Sequence, residues 1–149
     1  MFTIRKQFKF EMAHQLFNSY SAACHENLHG HSYILELYLT SNSPDETGMV
    51  VDFGEVKDVI GDYVNQWDHS LIMPSDFDKE YLDMLAKYTK KFRVVDYNPT
   101  AENMAREMFE QINKMLTQYQ LTKNSSVVYN VAKVRLHETT TGWAEYSRD

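Results

Sequence analysis

Cysteine is almost missing from this chain: Cys24 is the one example in 149 residues. An intrachain disulfide is therefore impossible, and the thiol is a structural filler, a metal ligand or a reactive group. Long apolar runs are missing too. Nothing approaches the roughly 20 consecutive apolar residues of a membrane span, and Arg5 and Lys6 are followed by neither an apolar stretch nor a small-residue cleavage site. The expectation is a cytoplasmic protein with no membrane partner. Positive charge is in deficit, with 15 Lys and Arg against 21 Asp and Glu and a net charge of -6. Nucleic-acid affinity rests on basic surface that neutralises phosphates, so no nucleic-acid partner is expected. A local basic pocket for one small phosphorylated substrate stays compatible with that balance. Repeats, low-complexity tracts and Gly/Ser linkers are lacking as well, and glycine and proline number only five and three. One domain over residues 1–149 is the expectation, since that length suffices to bury a core.

What is present is a clear sequence of periodicities. Residues 2–14 alternate, with Phe2, Ile4, Phe8, Phe10, Met12 and His14 on one parity and Thr3, Arg5, Gln7, Lys9 and Glu11 on the other. Residues 30–40 repeat this with His31, Tyr33, Leu35, Leu37 and Leu39, which predicts a second half-buried strand. After a turn-rich stretch, Asp52 reads as the N-cap of a helix running to about Trp67, with Phe53, Val56, Val59, Ile60, Tyr63, Val64 and Trp67 as its apolar stripe. Residues 68–98 are less periodic and suggest a short helix over 80–91 and an extended segment at Val94 and Val95. Pro99 and Thr100 open another long helix, with Glu102 in its first turn and Met104, Met108, Ile112, Met115 and Tyr119 along one side. Alternation returns over 127–138, and residues 143–147 come back across a Thr-Thr-Gly turn. The order ββααββ predicts an α+β fold: an antiparallel four-stranded sheet with two helices on one face. The other face and the edges need covering, which favours an oligomer whose sheets join into a β-barrel.

Chemistry concentrates at the strand ends. His29 and His31 flank Gly30, so their side chains project to one face with nothing between them. His14 ends the first strand on its apolar parity, and a hairpin would bring it beside the pair. Three neutral imidazoles suit Zn2+ and leave a fourth position for water or substrate, although each histidine alone is more often an ordinary core or surface residue. Cys24, in a polar loop ahead of them, is a candidate proton-abstracting thiolate, a fourth ligand or a buried structural residue. Asp68 and His69 form the minimal pair for an oriented general acid/base, and equally read as solvent-facing groups past a helix end. Glu138 is a carboxylate on the apolar parity of a strand. It sits at a strand end or faces a pocket, where it would accept two parallel N–H bonds from a guanine-like or pterin ring.

Six stretches in order, Phe10-Glu-Met-Ala-His14, Cys24 to Tyr33 with its His-Gly-His, Thr47-Gly-Met-Val-Val-Asp-Phe53, Trp67-Asp-His69, Pro99-Thr-Ala-Glu-Asn103 and His137-Glu138 to Tyr146, resemble the 6-pyruvoyl-tetrahydropterin synthase / 6-carboxytetrahydropterin synthase family. The resemblance covers nearly the whole chain. It implies the tunnelling fold and a homo-oligomer, commonly a hexamer of two trimers. It also implies zinc on His14, His29 and His31, catalysis by Cys24, Asp68 and His69, and substrate binding at Glu138 and Thr100. Cys24 precedes His29 by five positions, a departure from the family's loop, and Glu26 inside that loop is a candidate second acid/base. The Thr47–Phe53 stretch and the long segment before Pro99 look more like the carboxy-forming members, whose substrate is 7,8-dihydroneopterin triphosphate and whose product is a queuosine precursor. The alternatives are the pyruvoyl-forming lyase, an aldolase-like cleavage using Glu26, and a non-catalytic metal- or pterin-binding assembly protein.

Overall fold

The structure, a computed structural model, describes residues 1–148. In chain order the elements are β1 (Phe2–His14), α1 (Ala22–His25), β2 (His29–Ser41), α2 (Phe53–Trp67), β3 (Ser70–Pro74), α3 (Lys79–Tyr88), β4 (Phe92–Val95), α4 (Ala101–Thr122), β5 (Asn130–His137) and β6 (Trp143–Ser147). The six strands form one sheet in the order β4-β3-β1-β2-β5-β6. The α+β class holds, but the expected four-stranded antiparallel sheet is a six-stranded mixed one with four helices. The two added strands come from residues 68–98, where β3 pairs in parallel with both β1 and β4. Every residue of β3 is buried, so the alternation that marks a half-exposed strand is absent from it.

The two long helices pack against each other and against the sheet, α2 on β1 and α4 on β5 and β6. Asp52 caps α2 as expected, its carboxylate accepting the Gly54 N–H, and Thr100 caps α4 by accepting from the Asn103 N–H. Val56, Ile60, Val64 and Trp67 from α2 meet Met104, Ala105, Met108, Phe109, Ile112 and Leu116 from α4 in one core with Phe10, Tyr33, Leu35, Leu37 and Leu39 from the hairpin. Phe10 and Tyr33 are register partners and stack with ring centres 5.1 Å apart. Ala105, Phe109 and Leu116 extend the α4 stripe beyond the residues expected from its periodicity.

The opposite sheet face carries no helix-sized apolar surface. Its centre is Glu36, 3 % exposed, which accepts hydrogen bonds from Arg5, Gln7 and Tyr38. Among the described residues, no helix is long and apolar enough to cross a membrane.

Candidate metal centre and the surrounding site

The thirteen-residue pairing of β1 with β2 sets His14 opposite His29 and Met12 opposite His31, so all three imidazoles emerge on the helix-covered face at one end of the sheet. Gly30 opposes Ala13 on the other face; a side chain there would sit 3.3 Å from the Met12 carbonyl. The rings meet edge to face, with centres 4.7, 5.3 and 4.9 Å apart. One ring nitrogen from each lies within 4.8 Å of the others. His14 Nδ1 donates to the Pro99 carbonyl at 2.8 Å and His29 Nδ1 to the Asn27 carbonyl at 2.9 Å. A carbonyl can only accept, so both rings carry their proton on Nδ1 and present a bare Nε2 lone pair.

Both of those Nε2 atoms are buried, and neither has a hydrogen-bond partner. Buried polar atoms are nearly always satisfied, so two orphaned lone pairs in a trio whose ring nitrogens lie within 4.8 Å of one another could hold a metal ion. Burial drives the His14 pKa down to about 4, with the Pro99 bond opposing and the neighbouring His29 and His31 charges assisting. Burial also lowers that of His31, against the pull of Glu138. His14 and His31 are therefore neutral near pH 7, the state in which imidazole binds a metal, and a nitrogen-only set of three fits a first-row divalent ion such as zinc. The carbonyl bonds on Nδ1 are the orienting contacts that metal-bound histidines ordinarily have.

Glu138 follows β5, with its N–H donated to the Gly142 carbonyl in the β5–β6 turn. Its Oε1 lies 3.7 Å from His14 Nε2 and 3.8 Å from His31 Nε2, and accepts a long 3.4 Å bond from the Tyr33 hydroxyl. Burial and then the adjacent Glu138 charge push the Tyr33 phenol well above its ordinary range. Leu16, Thr100, Ala101, Glu102, Glu138 and Trp143 are among the residues around a cavity of about 280 Å3 beside it. Asn98 fixes this wall by bonding both the N–H and the carbonyl of Phe17. Tyr33, Pro99 and Asn98 were not anticipated as site residues. Tyr33 shares the parity of His31 and was legible to that extent, whereas a carbonyl that selects a tautomer leaves no trace in sequence.

Cys24 lies half-buried in the four-residue α1, where its carbonyl accepts the Leu16 N–H and ties the loop to the end of β1. Glu26 is exposed, with its carboxylate 3.8 Å from His25 Nε2. Asp68 and His69 are brought together, with His69 Nδ1 2.9 Å from Asp68 Oδ2. The other Asp68 oxygen accepts the Glu11 N–H, and that bond, with help from His69, holds the carboxyl below its usual range. His69 opens onto a cavity of about 480 Å3 that Met12 and His31 border too, along with Glu11, Ala13, Gly30 and Ser32. Those four have the parity opposite to His14, His29 and His31. Within one chain this cavity thus reaches both His69 and His31, whereas His14 is fully buried.

A model of the family described as 6-pyruvoyl tetrahydropterin synthase matches residues 3–149. The 6-carboxy-5,6,7,8-tetrahydropterin synthase of Aquifex aeolicus (strain VF5) is 33 % identical over 162 aligned positions, which span 98 % of each chain. An uncharacterized protein of Wolinella succinogenes, WS1659, has the same fold with a TM-score of 0.81 at 18 % identity, over 99 % of this chain and 98 % of that one. A catalytic-residue mutant of Plasmodium vivax 6-pyruvoyltetrahydropterin synthase superposes with a TM-score of 0.69 at 19 % identity, over 100 % and 99 %.

Proposed function

Because the chain belongs to the 6-pyruvoyl tetrahydropterin synthase family, we propose that it is a lyase that converts 7,8-dihydroneopterin triphosphate and water to 6-carboxy-5,6,7,8-tetrahydropterin, acetaldehyde and triphosphate. The observation that carries this reading is the pair of orphaned, tautomer-locked Nε2 atoms of His14 and His29, with the Glu138 carboxylate 3.7 Å from the first of them. An electrophile site beside a pocket carboxylate is what a pterin with an oxygenated side chain requires. The carboxy-forming branch is preferred because the Aquifex aeolicus relative, aligned over nearly its whole length, is named for that product.

His14, His29 and His31 would hold the ion, which we take to be zinc. When bound it supplies Lewis acidity toward the side-chain oxygens of the substrate. Glu138 accepts the ring N–H and exocyclic amine as a planar fork, with Thr100 in the same wall. Cys24 as thiolate removes a carbon-bound proton. His69, held by Asp68 through its Nδ1, delivers a proton from Nε2. Glu26, exposed beside His25, is the candidate for a second acid/base.

His69 is exposed while His14 is buried, which gives this proposal a structural corollary. A site containing both is completed between copies of the chain, Asp68 and His69 of one serving a neighbour. The uncovered polar sheet face and the two free sheet edges, β4 and β6, are the surfaces through which copies would close a barrel. A homohexamer of two trimers is the assembly we propose.

The test is mass-spectrometric product analysis of zinc-loaded protein given 7,8-dihydroneopterin triphosphate, with acetaldehyde trapped in the same tube. Carboxytetrahydropterin with acetaldehyde is the expected result. Pyruvoyl-tetrahydropterin without acetaldehyde would move the chain to the other branch, and no turnover would leave a binding module.

A further inference from the structure

We propose that Glu138 is the fourth protein ligand of the histidine-bound metal ion when no substrate is present, and that the arriving pterin ring draws its carboxylate off the ion. This rests on the reading of the three histidines as a metal centre and of Glu138 as the ring anchor. Three features of the geometry lead to it.

The first is a contact that makes no sense without a cation. His14 has spent its Nδ1 proton on Pro99, so its Nε2 is a lone pair, and it faces a carboxylate oxygen at 3.7 Å. Two acceptors repel unless something positive lies between them. The second is distance. At 3.7 and 3.8 Å, Glu138 Oε1 is too far from His14 and His31 for hydrogen bonding. Donor atoms bonded at 2.0–2.1 Å to one tetrahedral ion stand about 3.4 Å apart, and this oxygen is within a few tenths of an ångström of that spacing from two of the three nitrogens. The third is freedom to leave. The Glu138 side chain is 29 % exposed, and its restraint by Tyr33 is one long 3.4 Å bond. It also borders the cavity shared with Thr100 and Glu102, so a rotation carries the carboxylate from the histidines toward a bound ring.

The consequence is a gate on electrophilicity. Three neutral imidazoles leave a divalent ion its full charge, whereas an added carboxylate halves it. The ion would be fully electrophilic only once the ring has claimed Glu138, which couples ring recognition to side-chain activation.

The experiment uses the full-length protein, wild type and Glu138→Gln, loaded with Co2+ in the absence of any pterin. Three readouts are taken: the visible ligand-field bands, Zn2+ affinity by chelator competition, and binding of 7,8-dihydroneopterin. The expected result is a change in the Co2+ bands of the variant and a loss of Zn2+ affinity of about tenfold or more. Glu138→Asp, which keeps a carboxylate on a shorter stem, should lie between the two and serves in place of Glu138→Gln if that variant does not fold. Unchanged bands and unchanged Zn2+ affinity would overturn the fourth-ligand role, and loss of pterin binding in the same variant would show the ring-anchor reading intact. Altered bands with pterin binding preserved would support the fourth ligand and remove the anchor. A wild-type protein that takes up neither ion overturns the fourth-ligand role together with the metal-centre reading of the three histidines.

Discussion

His69 holds a backbone φ of +58°, a region that β-carbon sterics make costly for any residue except glycine and, to a lesser degree, asparagine and aspartate. Its N–H donates to the Glu11 carbonyl at 2.6 Å and its ring meets Asp68 at 2.9 Å, so the strained turn aims an oriented imidazole at solvent. His69→Asn keeps a residue that tolerates this conformation and removes the proton carrier. Its melting temperature should stay within a few degrees of wild type while kcat falls by about 100-fold or more; a loss confined to stability would mean that His69 is only a turn residue. Glu36 makes the contrasting case of a buried charge with a structural task. Burial works against its ionised form, but bonds from Gln7, Tyr38 and His137 and the Arg5 charge outweigh it and hold the pKa down to about 2, against an ordinary 4.5. A depressed carboxylate contributes stability that is complete above the unfolded value and lost as pH falls toward the folded one. Glu36→Gln should therefore cost about 1–3 kcal/mol at pH 7. It should also lose less stability than wild type between about pH 4.5 and 2, as read by urea melts across that range.

At the scale of elements, the β1–β2 hairpin is the part of the fold on which the histidine trio depends. A slip of one residue would send His29 and His31 to the far face, away from His14. Alternating apolar residues in both strands forbid that slip, since it would also expose Leu35, Leu37 and Leu39. Gly30 brings its backbone close to β1 within this pairing. Gly30→Ala would press a methyl group against the Met12 carbonyl at 3.3 Å. It should destabilise the protein by about 1–3 kcal/mol and weaken Zn2+ binding by about tenfold, measured by thermal melts and by chelator competition. Both long helices were legible because caps and stripes agree: Asp52 and Thr100 sit where their side chains satisfy free N–H groups. The five residues of β3 were not legible as sheet, and of the four in β4 only Val94 and Val95 were expected to be extended. Elements that short carry no periodicity, and their burial comes from parallel partners distant in sequence. The short helix expected over 80–91 is present as α3, and Val94 and Val95 lie in β4.

For the whole molecule, the decisive feature is that His69 stands exposed just before β3, on a cavity that His31 also borders. If sites are completed between copies, Cys24→Ala and His69→Asn should each be nearly inactive alone yet regain activity when coexpressed. In a one-to-one mixed assembly about a quarter of the sites would receive both intact residues. Activity no higher than that of the separate variants would place the whole reaction within one chain. The sequence by itself determined the hairpin, the two capped helices, the parity that gathers His14, His29 and His31, and the carboxylate at Glu138. Each is set by local periodicity or by a side chain's own chemistry. Only the tertiary structure decided the six-stranded order, the imidazole tautomers, the approach of Glu138 to two ring nitrogens, and the cavity that His69 and His31 share. These depend on contacts between residues far apart in the chain, such as Pro99 with His14 across 85 positions, and no periodicity encodes them.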